Sequence, residues 1–142
     1  MKSIFEKLKQ YKNVMEFNPP ISDDIIHDWD GKLPAPLMEL YRYFNGGEIF
    51  IPGTRIFGLT GREDDVISLN DSHVRTLFDI PESYVIFARL NFGDYICINR
   101  EAPFDLIQWD HENNEEYDGW DSLEEWLSES ITDYSDYLHG EC

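Results

Sequence analysis

The sequence predicts an α+β fold: a mostly antiparallel sheet with N-terminal helices and a C-terminal helix packed on it. Three observations predict it. Up to Phe44 the apolar residues recur at helical spacing, from Glu48 to Gly119 short apolar runs alternate with turn residues, and from Leu123 to Leu138 helical spacing returns. Helices, then strands, then a helix is the α+β order. At 142 residues, with no repeat and no linker, the chain reads as a single domain over 1–142. That length suffices to bury roughly two-thirds of the unfolded surface.

Taken in order, Ser3 and Glu6 have capping-box spacing at the start of a short first helix striped by Ile4, Phe5, Leu8 and Tyr11. Pro19-Pro20 ends whatever precedes it. Ser22 is placed to cap a second helix whose first turn holds Asp23 and Asp24, with Ile21 and Ile26 at hydrophobic-staple positions and Gly31 as its stop. The stretch Leu33–Gly47 contains a complete third helix. Pro34 and Pro36 suit its first turn, and Leu37, Leu40, Tyr41 and Phe44 form one buried stripe. Asn45, Gly46 and Gly47 then supply residues that tolerate positive φ, a structural role in redirecting the chain into a strand.

Glu48–Ile51 and Thr54–Leu59 read as strands around Pro52-Gly53. Val66, Leu69, His73, Val74 and Leu77 approximate a helical stripe of one or two turns ending before Pro81. Tyr84–Leu90 and Tyr95–Asn99 form a hairpin about Asn91–Asp94. Phe104–Trp109 is a further strand, and a short one follows around Glu116–Gly119. In the closing helix Asp121 with Glu124, or Ser122 with Glu125, supplies the cap. Leu123, Trp126, Leu127, Ile131, Tyr134 and Leu138 supply its stripe, each worth ~1.5 to 3 kcal/mol on burial, so this helix should pack on the sheet and leave one sheet face covered.

The net charge is −18, and after Arg100 there are 14 Asp and Glu with no Lys or Arg. A field of this sign repels phosphates and anionic membranes, which argues against nucleic acid and membrane partners and favours a cationic one. The bland alternative is that the acids only keep the protein soluble. The N-terminus lacks a signal-type apolar run and no stretch is long enough to span a bilayer, so a cytoplasmic location is expected. Cys97 and Cys142 make no ligand spacing and should be reduced thiols.

Glycine-rich phosphate loops, HExxH, CxxC and nucleophile elbows are missing from the sequence. That is only weak evidence against an enzyme, because triads are assembled in space and Ser, His and Asp are all present. No residue type demands a cofactor. Asp110-His111-Glu112 is the most site-like cluster. Consecutive side chains at a strand end diverge, which favours a solvated turn over a catalytic or metal role. His27 and His73 are expected as structural or surface residues, and His139 as a cation near a helix C-terminus. Trp109, Trp120 and Trp126 read mainly as core, with Trp120 and neighbouring Tyr117 as candidate aromatic anchors of a recognition surface.

The ordered set of features resembles the SUKH superfamily, the Smi/Knr-like bacterial toxin-immunity proteins that also include fungal cell-wall-synthesis regulators. The resembling residues are Leu33-Pro34 with the helix to Asn45-Gly46-Gly47, and Ile56-Phe57-Gly58-Leu59. Phe87-Ala88, Gly93-Asp94 before Tyr95–Ile98, Pro103, Trp109-Asp110-His111 and Ser122–Leu127 complete the set. The sequence departs from the pattern at Asn91-Phe92, where similar proteins often carry glycine or small polar residues. The resemblance implies a small non-enzymatic protein that binds and blocks a co-produced toxin, or a scaffold acting on an endogenous partner. Joined to the charge, it predicts a basic protein toxin as partner and a binding surface of Asp110, Glu112, Glu115, Glu116, Tyr117 and Asp118.

Overall fold

Between Glu16 and Trp120 each strand turns back on the one before it, and this repeated reversal builds the whole sheet. The computed structural model describes residues 2–50, 53–60, 65–71 and 74–139. Its strands are β1 (Glu16–Phe17), β2 (Gly47–Ile49), β3 (Thr54–Ile56), β4 (Tyr84–Leu90), β5 (Tyr95–Asn99), β6 (Leu106–Asp110) and β7 (Glu115–Trp120). They lie side by side in sequence order, all neighbours antiparallel. The helices are α1 (Lys2–Lys9), α2 (Asp23–Trp29), α3 (Ala35–Tyr43), α4 (Val66–Asp71), α5 (Val74–Leu77) and α6 (Leu123–His139). The α+β class read from the sequence is the observed one.

The third helix behaves as its stripe requires. Leu37, Leu40 and Tyr41 are fully buried, Met38 joins them, and the Tyr41 hydroxyl donates to the Phe57 carbonyl at 2.7 Å. Burial pushes that phenol's pKa well above its ordinary value, so it stays a neutral donor. Phe44 is also buried, but it caps the helix in an extended conformation (φ −161°, ψ 150°). Positive φ therefore starts at Gly46 (72°) and Gly47 (151°), not at Asn45.

Asn45 does different work from the backbone role expected of it. Its Oδ1 accepts the Leu59 amide at 2.7 Å and its Nδ2 donates to the Thr60 carbonyl at 3.1 Å. Its own backbone exchanges bonds with Asn18, whose Nδ2 reaches the Asn45 carbonyl at 2.9 Å. Through its side chain and its backbone, this one buried residue ties the helix exit to two other segments. A Cβ on Gly46 would collide with the Ile56 carbonyl and one on Gly47 with that of Glu16. Close backbone approach, as well as φ, demands glycine at both positions.

Several boundaries differ from expectation. Helix α1 begins at Lys2, so Ser3 lies inside it and is not its cap. Ser22 does occupy the N-cap of α2, without a side-chain cap bond, and of its apolar residues only Ile26 is fully buried. Strand β2 stops at Ile49 because Phe50 adopts φ 51°, and β3 stops at Ile56. Ile51, Pro52 and His73 lie outside the described residues. The two helical turns before Pro81 are present, but Leu77 is 61% exposed, while Arg75 is buried in its stead. The Arg75 guanidinium donates to the Pro81 carbonyl at 2.6 Å and to Asn70 Oδ1, which makes its burial tolerable.

Both faces of the sheet's middle are covered, where one was expected. Tyr95–Ile98 are all buried, and successive strand residues point to opposite faces. On one face Trp126 of α6 meets Phe87 and Trp120, with ring centroids 5.6 and 6.5 Å apart. On the other, Phe78 packs on Tyr95 at 5.7 Å and accepts the Trp109 Nε1 proton through its carbonyl at 2.7 Å. Beyond the end of β3, the Asn70 amide bonds both the N–H and the C=O of Ile86, standing in for a neighbouring strand. Of the six α6 residues expected inside, five are buried. Leu138 is 40% exposed because the helix continues past its last partner, the Tyr134–Tyr11 pair.

Candidate partner-binding edge

Strand β7 closes the sheet, and among the described residues no strand lies beyond it. Its first five residues, Glu115–Gly119, are exposed on both faces, and only Trp120 turns inward. The register sets Gln108 against Asp118 and Trp109 against Glu116, so Tyr117 is the extra residue of a bulge. Bulges bend an edge strand and re-aim a side chain. Tyr117 is accordingly 70% exposed.

Glu112, Glu115, Glu116 and Asp118 are exposed around it. The Asp118 carboxylate also accepts the Gly119 amide at 2.8 Å, and charged edges of this kind discourage indiscriminate strand pairing. Asp110 has a second task. Its Oδ1 accepts the amides of Glu112 (2.9 Å) and Asn113 (3.2 Å) and its Oδ2 the Asn113 side chain (2.9 Å), an Asx turn that shapes the hairpin. These bonds, led by that from the Asn113 side chain, hold its carboxyl below the usual carboxylate range.

Beneath the turn lies a residue that the sequence offered only within the resembling Gly93-Asp94 pair, with no role attached. Asp94, at the tip of the β4–β5 hairpin, is buried and accepts from Gln108 Nε2 at 2.8 Å, the His111 amide at 3.1 Å and His111 Nδ1 at 2.6 Å. Gly93 permits this, since a Cβ there would meet His111 Nε2 at 2.8 Å. Asp94, Asp110 and His111 each bring one potential ligand atom within 4.8 Å of the others. All three also take part in the clamp or the Asx turn, which lock two hairpins together. The sequence signals for Asp94 were its place in a turn and in the resembling Gly93-Asp94 pair, and neither named its partners.

The aromatic anchor pair is split. Tyr117 is exposed, but Trp120 is buried and its Nε1 donates to Glu129 Oε2 at 3.0 Å, which corrects its candidacy as a surface anchor. Trp109 and Trp126 are core, as expected. The Asn91-Phe92 departure places Phe92 at the other hairpin tip, 60% exposed. No helix among the described residues is long and apolar enough to cross a membrane.

An α+β domain with a meandering antiparallel sheet, flanking helices and an acidic free edge is the class that this geometry defines. The chain belongs to the SMI1/KNR4 family (SUKH-1), whose model matches residues 23–129. The matched span runs from the start of α2 into α6 and includes the whole acidic edge. No curated protein matches the chain.

Proposed function

We propose that this protein is a non-enzymatic, cytoplasmic immunity protein that neutralises a co-produced bacterial toxin by occluding a cationic active site. Family membership supports a protein-binding role of the immunity or regulatory kind. The observation that carries the reading is the β7 edge, where Tyr117 projects from a bulge amid the exposed carboxylates of Glu112, Glu115, Glu116 and Asp118. Nucleases and other enzymes that grip phosphate need a cationic groove, and a carboxylate edge can fill it and exclude substrate. An aromatic side chain ringed by polar groups has the composition of a binding hot spot. Charge complementarity accelerates capture toward ~10⁸ to 10⁹ M⁻¹s⁻¹ at low salt, which an antidote needs.

The test is a pull-down, at low and high salt, with the C-terminal toxin domain of any secreted protein found encoded beside this gene. Co-expression with that domain should rescue growth, and binding should weaken as salt rises. Capture of an endogenous protein with no affinity for the toxin domain would instead make the chain a regulatory scaffold.

A further inference from the structure

Gly31 (φ 81°) turns the chain after α2, and the Lys32 amide donates to the Trp29 carbonyl at 3.0 Å. The turn carries the Lys32 ammonium over the Trp29 ring, 5.4 Å from its centroid. Just after β5, the Arg100 amide donates to the Ser83 carbonyl at 2.8 Å and its Nε to the Glu82 carbonyl at 2.7 Å. The guanidinium is thus held through Nε, with its two Nη groups as a donor fork. Among the described residues neither Lys32 nor Arg100 is in an ion pair, and both are exposed.

Both cations line one cavity of about 240 Å³ between the α2–α3 connection, α4 and the start of β4. Three of its apolar lining residues, Trp29, Leu33 and Ile67, are only half-buried, so apolar surface is left for a ligand to cover. Glu82 is the acid in the lining, and its Oε2 faces buried Arg75, 3.9 Å from Nε. Asp30, the acid nearest Lys32 in sequence, faces Arg42 at 3.8 Å.

The geometry points to a binding site for a small carboxylic acid with one apolar arm. The carboxylate meets Lys32 and Arg100, and the arm lies along Trp29, Leu33 and Ile67. Size sets the class: a cavity of about 150 Å³ holds benzene and drug-sized ligands take roughly 300 Å³ or more, so one ring with a short acid chain fits and a nucleotide does not. Inorganic phosphate would leave the apolar lining bare and bring a dianion near the Glu82 carboxylate. The acid can be a free small molecule or the terminal carboxylate of a polypeptide ending in an aromatic residue, since the two share this chemistry. The site shares no residue with the β7 edge and does not rest on the toxin reading.

The probe is hydrocinnamate, added to the full chain at constant ionic strength and followed by amide-resolved NMR. Saturable shifts are expected at the Trp29 indole N–H and the Lys32, Leu33 and Ile67 amides. Acetate, inorganic phosphate and the neutral hydrocinnamide should each bind at least about tenfold more weakly. Lys32→Gln and Arg100→Gln should each weaken the probe about tenfold. Lys32 is exposed, so Lys32→Gln keeps the fold even if Arg100→Gln, which loses the bond to Glu82, does not. Shifts that do not saturate, equal binding of the neutral amide or unchanged affinity in Lys32→Gln would overturn the site. Phosphate binding as tight as the probe's would overturn the organic-acid class. N-acetylphenylalanine separates the sources: binding tighter than hydrocinnamate assigns a polypeptide terminus, and weaker binding a free acid. Because no protein partner is used, a failed toxin pull-down leaves this result standing, and a failed titration leaves the toxin reading standing.

Discussion

The carboxylate of Asp94 and the imidazole of His111 belong to different hairpins yet meet at 2.6 Å. With the Gln108 amide and the His111 N–H on the same carboxylate, this buried group joins the β4–β5 tip to the β6–β7 tip. The acidic edge therefore rests on a fixed base.

Asp94→Ala leaves the Gln108 amide and the His111 N–H without their acceptor. Removing one partner of a buried hydrogen bond costs about 1–3 kcal/mol, and more where the bond is charge-assisted. The variant should melt earlier, and its 111–114 turn should lose hydrogen-exchange protection first. Unchanged melting and unchanged protection would show that the clamp is incidental.

Gly46 and Gly47 should be irreplaceable, whereas Gly31 should not be. All three have positive φ, which costs an L-residue roughly 1–2 kcal/mol. Only at Gly46 and Gly47 would a Cβ also strike backbone, while nothing lies within 4 Å of one at Gly31. Gly46→Val and Gly47→Val should each lower stability well beyond that strain, and Gly31→Ala by no more than about it. Chemical denaturation checks the ranking, and equal losses at all three positions would refute the argument from close approach.

These contrasts explain what the sequence could disclose. Strands β4 and β5 were legible to the residue because unbroken runs such as Tyr-Val-Ile-Phe are bounded by Pro81 on one side and Gly93-Asp94 on the other. Strand β1 was not, since two residues carry no period and Glu16–Phe17 pairs only because Gly47 lets the backbones meet. The carboxylates and Tyr117 of the edge could be named in advance because hairpin and charge are local features. Asp94 and Asn45 could be named but their roles could not be read, because each takes its role from partners brought close only by folding.

The hairpin turn should loosen at acid pH through Asp110. Its folded-state pKa is depressed below the ordinary value of ~3.9, so its contribution is full above that value and is lost as pH falls through the depressed one. Exchange of the Glu112 and Asn113 amides, corrected for intrinsic rates, should therefore accelerate on acidification. Asp110→Asn keeps an acceptor oxygen but cannot ionise, and it should flatten that response. An identical pH profile in the variant would place the effect in another carboxylate.

Tyr117 and Trp120 are three residues apart on one strand, yet their substitution should separate binding from folding. Tyr117 is an unpaired bulge residue with 70% of its surface exposed, so Tyr117→Ala should leave the melting temperature within the small range of surface changes, about ±0.5 kcal/mol. Against the captured partner it should cost about 2 kcal/mol, as truncation of an aromatic hot spot does, expressed mainly as faster dissociation. Trp120 is buried, bonded to Glu129 and packed on Trp126, so Trp120→Ala should cost about 3–5 kcal/mol of stability. Any binding loss in that variant should track its unfolded fraction. Calorimetry and surface-binding kinetics on the two variants check the division: a Tyr117→Ala protein that binds as tightly as the wild type would move the recognition surface away from β7.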